Sequence, residues 1–145
     1  MGTIIMTDVH SKEVRSYNMS RIKGKNTKPE ILVRKYLFSQ GLRYRLYAKT
    51  LPGKPDIVLA KYKTVIFING CFWHGHEGCR FFVIPKTRTD FWINKININI
   101  QNDKTISLLL ENMGWRVIIV WECELKKEKR EKTLCMLVNN IKNPN

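Results

Sequence analysis

The hydrophobic and polar positions of the chain change period several times, and each change marks an element. Thr27-Lys28-Pro29-Glu30 has the form of a helix start: a threonine to cap the first N–H groups, a proline in the first turn, and a glutamate three residues after the cap. Apolar residues at Ile31, Leu32, Tyr36 and Leu37 carry that helix to Gly41, whose tolerance of positive φ suits a stop. Strand patterns follow. Arg43 to Tyr47 alternates, and Leu51-Pro52-Gly53-Lys54-Pro55 interrupts as a loop. Asp56 to Ala60 and Thr64 to Ile68 then form short apolar strands on either side of a tight Lys61-Tyr62-Lys63 turn. Val65-Ile66-Phe67-Ile68 is apolar without a break, as expected of a strand covered on both faces.

Residues 69–88 hold Gly, Cys, His and Pro without periodicity and form a loop-rich insert. A long helix is predicted, capped by Thr89 or a neighbour and reaching about Asn112, with Trp92, Ile96, Ile100, Ile106, Leu109, Leu110 and Met113 at helical spacing and Gly114 as its stop. Trp115 to Trp121 reads as another buried strand, and Glu128 to Ile141 as a terminal amphipathic helix carrying Leu134, Leu137, Val138 and Ile141. This order specifies an α/β layer fold, a mixed central sheet flanked by helices. The expected organisation is a basic N-terminal arm over residues 1–26, with Lys12, Arg15, Arg21, Lys23 and Lys25 against Asp8 and Glu13, followed by a single domain over 27–145. A basic arm tracks phosphates, unless it is only a solvated tail.

Composition narrows the partner. The 145 residues include 26 Lys+Arg against 12 Asp+Glu, a formal net charge of +14 with pI near 9.9, which favours a polyanion and above all nucleic acid. With 43% hydrophobic residues the chain can bury a core, and no apolar run approaches the roughly 18–20 residues of a membrane span. The N-terminus lacks the pattern of a secretory signal, so a cytosolic setting is expected. Four cysteines are too few for a disulfide scaffold.

Three groups of residues carry candidate chemistry. Cys71, His76 and Cys79 follow one another as C-x4-H-x2-C, and Cys123 follows the last strand; four such N/S ligands suit a closed, structural tetrahedral zinc site. The alternative is that they are small buried residues. Cys135 is expected to be core. Asp56 opens a buried strand, where its charge needs compensation that a hard cation such as Mg²⁺ would supply. The neighbouring strand runs into His74, and hydrolysis of a phosphodiester needs an activated water, a neutralised phosphate and a proton carrier. Asp56 could hold the metal, His74 move the proton and Glu30 orient a metal-bound water, although the helix cap alone accounts for Glu30 and zinc ligation is an alternative for His74. Finally, Phe72-Trp73 lies in a polar loop, a poor place to bury two rings, and Trp92, Lys95 and Asn99 share one helix face. Such groups could stack on bases and bond to their edges; otherwise Trp92 packs on the sheet and the two polar residues are solvated.

Leu51-Pro-Gly-Lys-Pro-Asp56, Val65-Ile-Phe-Ile-Asn-Gly-Cys-Phe-Trp-His74, Thr87-Arg-Thr-Asp-Phe-Trp92 and Gly114-Trp-Arg-Val-Ile-Ile-Val-Trp-Glu-Cys123, with Arg15-Ser-Tyr-Asn-Met19, closely resemble the very short patch repair endonucleases over about residues 8 to 135. The resemblance implies a variant of the PD-(D/E)xK restriction-endonuclease fold that nicks duplex DNA 5′ to the thymine of a T:G mismatch left by deamination of 5-methylcytosine. It implies Asp56 as the Mg²⁺ ligand with the backbone carbonyl of Ile68, His74 as catalytic histidine, Glu30 as a glutamate reaching the metal through water, and Cys71, His76, Cys79 and Cys123 as ligands of structural Zn²⁺. Phe72, Trp73 and Trp92 correspond to an aromatic wedge entering from the major groove, Met19 to the residue pressing from the minor groove, and Lys95 and Asn99 to positions that help read the mismatched pair. A monomer acting at the bacterial nucleoid alongside a cytosine-5 methyltransferase is implied too. The chain departs from the family pattern at Ile68, where a threonine is usual, and at Asn69, where a histidine is common. The rival readings are a restriction-type enzyme cutting unmodified duplex DNA and a zinc-ordered DNA-binding module with an inert acidic site.

Overall fold

A computed structural model describes residues 27–144; the expected arm over 1–26 and Met19 lie outside the described residues. The elements are α1 (Lys28–Ser39), β1 (Arg45–Leu46), β2 (Ile57–Leu59), β3 (Thr64–Asn69), α2 (Thr89–Asn112), β4 (Arg116–Trp121) and α3 (Arg130–Lys142). The four strands form one mixed sheet in the order β1-β2-β3-β4. The loops over residues 47–56 and 60–63 make the first two pairings antiparallel, and the long α2 crossover makes β3 and β4 parallel, in register from Thr64↔Arg116 to Asn69↔Trp121.

Helices cover both faces. On one, Val33 and Leu37 of α1 and Leu134, Leu137, Val138 and Ile141 of α3 pack on Ile57, Leu59, Ile66 and Val120; on the other, Leu110 and Ile106 of α2 pack on Val58, Val65, Phe67 and Val117. Alternate residues of β2 and β3 therefore serve two cores, which is why these strands carry no polar face.

Sequence and structure differ in three places. The alternation over Arg43–Tyr47 yields only the two exposed residues of β1, because Tyr47 takes up a left-handed conformation with φ 48°. β4 is half-exposed rather than buried: it pairs with β3 alone among the described strands, and Ile119 is left open on its surface. Cys135 is exposed on α3, one position away from the inward stripe of Leu134 and Leu137, and is not core. At the start of α2 the N-cap position falls on Arg88, the neighbour of Thr89, without a side-chain capping bond, and the Thr89 hydroxyl donates back to the carbonyls of Pro85 and Lys86 at 3.0 and 2.9 Å. Among the described residues no helix is long and apolar enough to cross a membrane.

Candidate active site and metal centre

The register of β3 and β4 builds the Cys/His cluster. Cys71 and Cys123 each lie two residues beyond the paired Asn69 and Trp121, so the parallel strands deliver both to the same end of the sheet. The loop between them curls through successive turns, with bonds from His76 N–H to Cys71 O at 2.9 Å and from Cys79 N–H to His76 O at 3.2 Å, which return His76 and Cys79 to the two cysteines. The four ligand atoms all lie within 4.8 Å of one another. Thiolates about 2.3 Å from a tetrahedral zinc would be about 3.8 Å apart, so the donor set and its size fit that ion. The His76 ring is held flat against Trp121, with centroids 4.0 Å apart and planes 2° from parallel, and its Nδ1 is 3.5 Å from Cys123 Sγ. Burial, with hydrogen bonding to Cys123 and Cys79, pushes the Cys71 thiol up to about 12; a dication is the natural counter-charge for thiolates gathered there.

The same loop aims His74 elsewhere. Its N–H bonds Gly70 O at 3.2 Å, and its Nδ1 lies 2.7 Å from Asp103 Oδ2 on α2, both side chains being about one-third exposed at 32% and 30%. His74 is thus not drawn into the Cys/His cluster. A carboxylate can only accept, so Asp103 holds the proton on Nδ1 and leaves Nε2 as the working nitrogen. Gly75 lets the loop come this close: its φ is +60°, and an added Cβ would stand 2.7 Å from Ile100 Cδ1 and 2.9 Å from Ile96 Cγ2. Asp103 escaped the sequence analysis, although Trp92, Ile96, Asn99 and Asp103 recur at helical spacing. Two polar residues on the inward face of α2 were the available signal.

Asp56 sits where β2 and β3 part. The ladder runs from Leu59↔Thr64 to Ile57↔Ile66, and the next pair on that hydrogen-bonding edge would be Pro55 with Ile68. Proline has no N–H to give to the Ile68 carbonyl, and the Ile68 N–H is taken by the Asp56 side chain, Oδ2 at 2.7 Å. In an extended strand the N–H and carbonyl of one residue face the same way, so the Ile68 carbonyl is turned toward the same edge. Glu30, 3% exposed, closes the other side. Its N–H bonds the Thr27 hydroxyl at 3.4 Å as the cap predicts, while its carboxylate takes the Arg34 guanidinium at 3.0 Å and the Tyr47 hydroxyl. Two carboxylates and a carbonyl are the oxygen donors a hard cation such as Mg²⁺ prefers.

The aromatic residues form one half-buried cluster. Trp73 meets Phe72 and Trp92 edge to face at 5.2 and 5.9 Å, and Phe72 meets Trp92 at 5.4 Å. Trp92 therefore packs on the loop, not the sheet. Asn99 Nδ2 donates to Trp73 O at 2.8 Å, and Lys95 is half-buried on the same face.

Burial raises the Asp56 carboxyl to about 6; the Ile68 N–H opposes this, Glu30 adds to it, and His74 and Arg34 counter it. A folded-state value above the ordinary 3.8 means that the protonated group favours folding below that pH and that this contribution is lost as pH rises through about 6. Ionised Asp56 therefore destabilises the Mg²⁺-free protein at neutral pH. Asp56→Asn, which keeps an oxygen for Ile68, is expected to raise stability by about 1–3 kcal/mol at pH 7.5. Thermal melts in Mg²⁺-free buffer should show that gain shrinking at pH 5; a gain independent of pH contradicts it.

The family model described as DNA mismatch endonuclease Vsr matches residues 7–80. The chain is 54% identical over 139 residues, 94% of its length and 98% of the other's, to the type II nicking enzyme V.NmeAIP of Neisseria meningitidis serogroup A. It is 50% identical over 120 residues, 83% of its length and 88% of the other's, to the type II nicking enzyme V.XorIIP of Xanthomonas oryzae. To the DNA mismatch endonuclease Vsr of Escherichia coli K12 it is 45% identical over 125 residues, 86% of its length and 80% of the other's. By these matches the chain is a DNA endonuclease and belongs to the Vsr family.

Proposed function

We propose that this endonuclease nicks duplex DNA 5′ to the thymine of a T:G mismatch arising from 5-methylcytosine deamination, by Mg²⁺-dependent hydrolysis on a restriction-endonuclease-like scaffold. The observation that carries this reading is the meeting of Asp56, Glu30 and the His74–Asp103 pair at one end of the sheet, close enough that Glu30, His74 and Arg34 all act on the Asp56 carboxyl. Asp56 and the Ile68 carbonyl would hold Mg²⁺ directly, with Glu30 behind a water. When bound, the ion supplies neutralisation of charge at the scissile phosphate. His74 Nε2 takes the proton of the attacking water, and Asp103 keeps the ring in that tautomer and steadies the imidazolium that results.

The half-exposed rings of Phe72, Trp73 and Trp92 act as the wedge, and Met19, outside the described residues, takes the minor-groove role that the resemblance implies. A mismatched pair costs less to unstack than a matched one, so insertion itself discriminates. Lys95 and Asn99 read the pair, Asn99 also fixing the wedge loop through Trp73. Zn²⁺ at Cys71, His76, Cys79 and Cys123 ties that loop to the strand ends. The substrate chemistry calls for a cytosine-5 methyltransferase acting upstream. A second reading, a nickase acting on intact duplex sites, draws on relatives named as type II nicking enzymes.

With Mg²⁺, the purified protein should nick a T:G duplex on the thymine strand and spare the matched homoduplex; equal cutting of both favours the second reading. Asp103→Asn should slow nicking about 10- to 100-fold with duplex affinity retained. Metal analysis after purification without added metal should find about one zinc per chain, and its removal should lower the melting temperature by about 5 °C or more. A zinc-free protein of full stability would sink that site.

A further inference from the structure

Among the described residues Glu30 is held by the side chains of Arg34 and Tyr47, which no sequence pattern singled out. Arg34, one turn further along α1, donates to Glu30 Oε1 at 3.0 Å, and the two side chains are only 13% and 5% exposed. The Tyr47 hydroxyl donates to the same oxygen, Arg34 Nη2 reaches the phenol oxygen, and the guanidinium carbon lies 5.5 Å from the Tyr47 ring centroid. Carboxylate, guanidinium and phenol are thus mutually bonded in a triangle beside Asp56.

Tyr47 occupies a conformation that only a constrained residue keeps. Its φ of 48° is in the left-handed region, unfavourable for a side chain with a Cβ, and its N–H bonds Asp56 O at 3.4 Å, one step past the Leu46↔Ile57 pair. One residue therefore touches both acidic positions, Asp56 through its main chain and Glu30 through its hydroxyl. Two carboxylates facing each other repel, and a Glu side chain has rotamers that would carry it away. The triangle removes that freedom before a cation arrives.

We propose that Tyr47 is a positioning residue for divalent-metal capture: its hydroxyl, with Arg34, fixes the Glu30 carboxylate toward Asp56 so that the metal site is set in advance. This rests on the proposed role of Glu30 at the metal. Tyr47 touches neither DNA nor ion in this account, and its effect is on metal affinity.

Tyr47→Phe keeps the ring on Arg34 and removes only the hydroxyl. Binding of Mn²⁺ alone to the full chain, followed by loss of the free-ion electron paramagnetic resonance signal, should weaken about 3- to 10-fold. The Mg²⁺ concentration for half-maximal nicking should rise by a similar factor, with most of the lost rate recovered at saturating Mg²⁺. Zinc content and melting temperature report whether the variant is folded. Wild-type Mn²⁺ affinity in the variant, or a rate loss that saturating Mg²⁺ leaves in place, overturns the proposal. Glu30→Gln separates the two levels. If it binds Mn²⁺ as wild type does, the role of Glu30 itself falls and this inference with it; if it binds weakly while Tyr47→Phe does not, this inference alone falls.

Discussion

One hydrogen bond organises the acidic end of the molecule: the Asp56 carboxylate on the Ile68 N–H at 2.7 Å. It lies just beyond the first pair of β2, Ile57↔Ile66, where Pro55 has no N–H to extend the ladder and the residue that precedes β2 turns its carboxylate onto β3. A side chain replaces a main-chain partner, which satisfies the backbone and anchors a carboxylate against an apolar sheet. Burial then makes the charge unfavourable, and that cost is what a cation would relieve.

The two sides of the β3–β4 end serve different tasks. Parallel pairing brings Cys71 and Cys123 level, and the loop between the strands is pinned there with His76 stacked on Trp121. Pinning one part of the loop leaves its other part, Phe72 to His74, facing α2, where Asp103 and Asn99 receive it. Two of the three rings, Phe72 and Trp73, and the catalytic imidazole proposed above therefore ride on one short loop, against Trp92 of α2. A shift of that loop moves both, which would couple recognition of distorted DNA to the placement of His74.

Much of this was legible in the residues. The helical spacing of Leu134, Leu137, Val138 and Ile141 and the unbroken apolar run of β3 describe the helices and the doubly covered strand correctly. The C-x4-H-x2-C spacing with Cys123 identified a cluster whose ligand atoms do converge. Asp103, Arg34 and Tyr47 were not legible, because each gains its meaning from a contact made across the fold. Asp103 follows Gln101 and Asn102 in a polar run, and only the helix face distinguishes it. Tyr47 ends an alternating stretch, and nothing in the spacing says that its backbone turns left-handed there. Cys135 shows the converse: apolar neighbours in sequence placed it inside, yet a step of one residue on a helix turns a side chain by about 100° and out to solvent.

The proposed mechanism requires a cation held between the start of β2 and the end of β3. Anomalous diffraction from crystals of the protein soaked in Mn²⁺ tests this most directly. A peak within coordination distance of the Asp56 carboxylate and the Ile68 carbonyl, with Glu30 in the next layer, is the predicted result. A structure in which that position stays empty while Mn²⁺ binds elsewhere, or in which Asp56 takes no part in binding the ion, would contradict it.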